Sequence, residues 1–175
     1  MDQKTKRLIV IKNLIYTLSV LLAFILQETP VLFEIREVRP VLVIAVVTVI
    51  AMFEGEFAGG LFGLLGGLLC DTAAAHIFGV ASIFFLVLGC GCGLLVIYLI
   101  QPNRKTAFLL TFGFALIYGL ASHYLIYGLW GYEGASQLIV AKTLPSALYT
   151  ALLAALLLWP MKKFHKYFEE ALEQR

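Results

Sequence analysis

The chain has 175 residues, 61% of them hydrophobic and 14% charged, with a formal net charge of +2. Soluble domains are nearer half apolar and a quarter charged, so an ordinary water-soluble fold is excluded and lipid is the solvent. The apolar runs are continuous rather than alternating, which excludes an outer-membrane barrel and predicts an all-α membrane protein.

Six transmembrane helices are expected, in chain order. Span one covers residues 8–27. It follows a basic tail, as a signal peptide would, but it is too long and its end, LLAFILQETP, has no small-x-small cleavage pattern. It therefore reads as a retained span. Span two follows at 40–53 and span three at 57–71, separated by the short break Glu54-Gly55-Glu56. Both are short against the ~20 residues a spanning helix usually needs. Span four covers 77–100, and the turn QPNRK stops it at Pro102. Span five covers 106–130, span six covers 138–159, and Pro160 closes it.

The chain divides into one polytopic domain, 1–160, and an amphipathic tail, 161–175. In the tail Met161, Phe164, Phe168 and Leu172 share one helical face, and Lys162, Lys163 and Lys166 lie mostly elsewhere. That pattern suits an interfacial helix on a lipid surface. On the six-span map Lys4, Lys6, Arg7, Arg104, Lys105, Lys162, Lys163, Lys166 and Arg175 fall on one side, against Arg36 and Arg39 on the other. The basic side is the cytoplasmic one, so both termini are expected in the cytoplasm.

The densest signal is EGEFAGGLFGLLGGLLCD. Gly55, Gly59, Gly63 and Gly67 recur every fourth residue, Gly60 and Gly66 widen the stripe, and Asp71 ends it. Each glycine costs a helix about 0.8–1 kcal/mol relative to alanine. In a membrane the same residues let another backbone approach closely. Steps of four drift by about 40° around the helix, which suits a right-handed crossing. The stripe is expected to be a seam, either for a partner protein or for another helix of this chain.

The polar residues are few. Asp71 and Lys142 fall at similar depth near the outer ends of spans three and six, and with His123 in span five they define a candidate intramembrane network. Separate snorkelling to the headgroups is the alternative. On the inner side a Lys12–Glu56 contact competes with snorkelling of Lys12. Cys70, Cys90 and Cys92 lie in apolar sequence and read as small apolar residues rather than metal ligands. No second intramembrane aspartate, zinc motif or phosphate loop accompanies Asp71, so neither an enzyme nor a cofactor, metal or nucleic-acid site is expected.

The segment GEFAGGLFGLLGGLLCDTAAAHIFGVASIFFLVLG resembles the signature of the MreD family, a Gly-rich helix ending in G-L-L-x-D with a later glycine. Here the pattern is Gly67-Leu68-Leu69-Cys70-Asp71, with Gly79 after it. The resemblance implies a non-enzymatic subunit of the bacterial inner membrane that scaffolds or regulates lateral-wall peptidoglycan synthesis and cell shape. It implies a bitopic MreC-like partner and, indirectly, MreB, RodA and a class B penicillin-binding protein. It also implies a bundle like the S components of ECF transporters. A vitamin-binding ECF S component is the alternative reading, weakened because few polar residues converge on the outer side.

Overall fold

A computed structural model of the chain describes residues 3–29, 38–73, 78–124 and 135–173. Five helices make up these residues: α1 (Gln3–Glu28), α2 (Leu42–Ala73), α3 (Val80–Tyr98), α4 (Arg104–His123) and α5 (Ala135–Glu173). All five are long and apolar enough to cross a membrane.

The expected count of six helices is corrected at α2, which holds both span two and span three. The break between them is a single non-helical residue, Gly55, at φ 84° and ψ −171°. An L-residue with a side chain resists that conformation, and glycine does not. The helix folds back on itself there. Gly66 stands against Val43 and Val47, and Gly59 against Ala51. In a straight helix residues 43 and 66 would be about 35 Å apart. The result is two antiparallel arms, 42–54 and 56–73, about 20 Å and 27 Å long.

The first arm is the centre of the bundle. Its sequence, LVIAVVTVIAM, is apolar on every side, as a helix surrounded by other helices requires, and every residue from Leu42 to Met52 is buried. The one polar side chain of this buried stretch, Thr48, donates its hydroxyl back to the Ile44 carbonyl at 2.7 Å. Tyr16, Val20 and Ala23 of α1 pack on it together with Phe62, Cys70 and Phe85. Ala154 of α5 reaches it at Ala45 and Val49.

One further boundary differs from expectation, and another falls outside the described residues. Helix α5 does not stop at Pro160 but runs through it to Glu173. Proline forfeits a hydrogen bond inside a helix, yet Phe164 packs on the core beyond it and Phe168 is buried. Span five was expected to reach Trp130; α4 ends at His123, and residues 125–130 lie outside the described residues.

Candidate functional site: a glycine seam between two acidic clasps

The glycine stripe faces α3. A Cβ added at Gly59 would stand 2.6 Å from the Gly89 carbonyl oxygen, and one at Gly67 would stand 2.5 Å from that of Ala81. At Gly63 it would collide with the Phe85 carbonyl, and at Gly60 with the Cys90 sulfur. Backbone therefore lies directly against backbone along Gly59, Gly63 and Gly67, as the four-residue period demands. Gly66 turns to the other side and meets Val43 and Val20, so it tightens the hairpin rather than the α3 contact.

The sequence reading did not single out the other half of the seam. A side chain at Gly89 would strike the Gly59 carbonyl, and one at Gly93 would strike the backbone at Gly55 and Glu56. The spacing Gly89-x-x-x-Gly93 is the small-xxx-small signal that carries this information. Gly91 between them faces open space.

Asp71 closes the end of the seam away from the Gly55 bend. Gly79, at φ 100°, turns the chain into α3 but offers no side chain to its first N–H groups. Asp71 supplies the missing acceptor from the second arm. Its Oδ1 accepts the Ala81 N–H at 3.0 Å, and its Oδ2 accepts the Ser82 N–H at 2.9 Å and the Ser82 hydroxyl. The first N–H groups of a helix have no partner within it, and its N-terminal dipole favours an anion. These bonds repay the burial of a carboxylate that is 5% exposed.

The expected motif thus has a mechanical reading. Gly67 admits α3, Leu69 packs on the core, Asp71 caps α3, and Gly79 makes the turn. Leu68 is exposed. Lys142 is exposed on α5, and the side chain of His123 lies outside the described residues.

The second clasp sits at the hairpin bend. Lys12 does not meet Glu56, which is exposed; it meets Glu54, Nζ to Oε2 at 2.6 Å. The Tyr16 hydroxyl donates to Glu54 Oε1 at 2.9 Å, and His165 Nδ1 lies 3.0 Å from the same oxygen. One carboxylate, 13% exposed, gathers α1, α2 and α5. The bend at Gly55 turns Glu54 inward and leaves Glu56 outside. Because Lys12 and His165 meet at Glu54, the first turns of α1 and the last turns of α5 lie at the same end of the bundle.

Gln27 ties the opposite end. Its Oε1 accepts the Val43 N–H at 3.3 Å, and its Nε2 lies 3.8 Å from the Cys70 sulfur. Nearby, the Ser146 hydroxyl donates to the Arg39 carbonyl at 2.5 Å, and the Val41 N–H donates to Thr150 Oγ1 at 3.0 Å. Among the described residues no cluster of His, Cys, Asp and Glu could hold a metal ion.

The family model for rod shape-determining protein MreD matches residues 7–168. The chain belongs to the MreD family. Among curated proteins and solved structures nothing matches it. MreD proteins are shape-determining membrane proteins rather than a known enzyme family, and the MreD match leaves the vitamin-transporter reading without support. In this MreD chain the seam glycines hold the second arm and α3 at backbone contact, and Asp71 caps the first turn of α3.

Proposed function

We propose that this chain is the polytopic scaffold subunit of a bacterial elongation complex, which steers lateral-wall peptidoglycan synthesis by binding a bitopic MreC-like protein. The observation that carries the reading is the family match across residues 7–168. In this reading the α2 hairpin counts as two crossings, giving six, an S-component-like bundle and two cytoplasmic termini. The meeting of Lys12 and His165 at one end supports an even count, and the basic residues at both termini support the cytoplasmic side. MreB, RodA and a class B penicillin-binding protein are reached through the MreC-like partner.

The glycine seam is occupied by α3, so the proposed partner surface lies on the outward apolar faces. Co-purification from membranes with an MreC-like protein tests the reading, with rescue of rod shape in a strain lacking its own MreD as the functional arm. A chain that folds, fails to retain the partner and fails to restore shape refutes it. The Asp71–His123–Lys142 network stands as a second proposal. Coupling between Asp71→Asn and Lys142→Met in a double-mutant cycle supports it, and additive losses refute the pairing.

A further inference from the structure

The last turns of α5 keep packing on the bundle beyond Pro160. Met161 and Phe164 line, with Ile15 of α1 and Leu157 and Pro160 of α5, the end nearest Glu54 of an apolar groove of about 450 Å³. Phe164 meets Tyr16 edge-on with ring centroids 5.7 Å apart, and Phe168 packs on Phe164 at 4.7 Å. His165 stacks on Phe53 at 5.2 Å and reaches Glu54 at 3.0 Å. Of the other charged groups of this stretch, Lys166 pairs with Glu170 at 3.5 Å, and Glu169 faces the far nitrogen of the same imidazole, His165 Nε2, at 3.8 Å.

Pro160 stands immediately before this stretch. It has no N–H to give, and its ring crowds the carbonyl one turn back, so the helix is weakened there, as it is at Pro145. Beyond it the chain has two places to put the same apolar residues. Docked, Met161, Phe164 and Phe168 cover α1 and the groove. Released, they form one face of a helix whose exposed Lys162, Lys163 and Lys166 suit an anionic lipid surface.

We propose that residues 161–173 are a strap, hinged at Pro160 and latched to the Glu54 carboxylate through His165, whose release opens that end of the groove. This stands apart from the scaffold reading and does not depend on any partner.

Hydrogen–deuterium exchange on the full chain in nanodiscs, one set zwitterionic and one containing anionic lipid, tests it. His165→Phe keeps the stack on Phe53 and removes the polar tie. Exchange over residues 162–173 is expected to rise about tenfold or more, the size of one hydrogen bond to a charged group. Residues 142–158 are expected to keep their protection, and the rise is expected to be larger in anionic lipid. Pro160→Ala, which stiffens the hinge, is expected to slow exchange in the strap. Unchanged exchange in His165→Phe overturns the latch, as does protection lost along the whole of α5. Faster strap exchange in Pro160→Ala overturns the hinge.

Discussion

Asp71→Ala removes the acceptor that starts α3. Two buried N–H groups, of Ala81 and Ser82, and one hydroxyl lose their partner at once. Loss of an N-cap costs about 0.5–2 kcal/mol, and each hydrogen bond to a charged group is worth about 1.5–3 kcal/mol. Removing the buried charge returns part of that sum as relieved desolvation. The expected net loss is about 3 kcal/mol for Asp71→Ala and about half as much for Asp71→Asn, which keeps one acceptor oxygen. Ser82→Ala, which leaves both backbone bonds in place, is expected to cost about 1 kcal/mol. Reversible unfolding in mixed micelles, titrated with a denaturing detergent, measures all three. Exchange of the first-turn amides of α3 shows whether the loss is local. If Asp71→Ala unfolds within about 0.5 kcal/mol of the parent chain, the carboxylate is not what holds the start of α3.

Three further outcomes follow from the same geometry. Gly63→Leu is expected to separate the second arm from α3 and lower thermal stability in detergent sharply, because its Cβ has no room beside the Phe85 carbonyl; Gly91→Ala, which meets nothing within 4 Å, is expected to be neutral or slightly stabilising in the same melt. Gly55→Ala forces a side chain into φ 84°, ψ −171°, a region essentially reserved for glycine, and is expected to cost about 1–3 kcal/mol in the unfolding titration. Lys12→Met leaves Glu54 with Tyr16 and His165 as its partners and is expected to cost about 1.5–3 kcal/mol, the size of one hydrogen bond to a charged group, whereas adding Glu54→Gln is expected to recover part of the loss; strictly additive losses would show that the pair is not coupled.

The features legible in the sequence were those set by local chemistry. The length of each apolar run, the period of the glycines and the break at Glu54-Gly55-Glu56 all depend on neighbours within a turn or two. The direction of the break was less legible: Gly55 reads as an interruption whether the chain continues or doubles back, and the structure keeps both arms in one element. The seam was legible as a close approach but not in its occupant, because Gly89 and Gly93 lie beyond a turn. Asp71 announced itself as a costly charge, yet its partners are backbone N–H groups that no side-chain pattern marks. Glu54 was the hardest to read. Its ligands come from positions 12, 16 and 165, and only the finished topology brings them together.

Backbone laid against backbone is a smooth contact. Leucine knobs would resist sliding, but a run of glycines offers little to catch on along the helix axis. The vertical position of α3 against the second arm must therefore be set at its ends. Asp71 pins one end to the first turn of α3. At the other end the arm turns into the bend, where Glu54 is fixed to α1 and α5. The second arm between the two acids, 56–71, is about 24 Å of helix, somewhat less than the ~30 Å hydrocarbon core. Asp71 thus fixes the register of α3 against the second arm, and Glu54 fixes the hairpin of which that arm is part against α1 and α5.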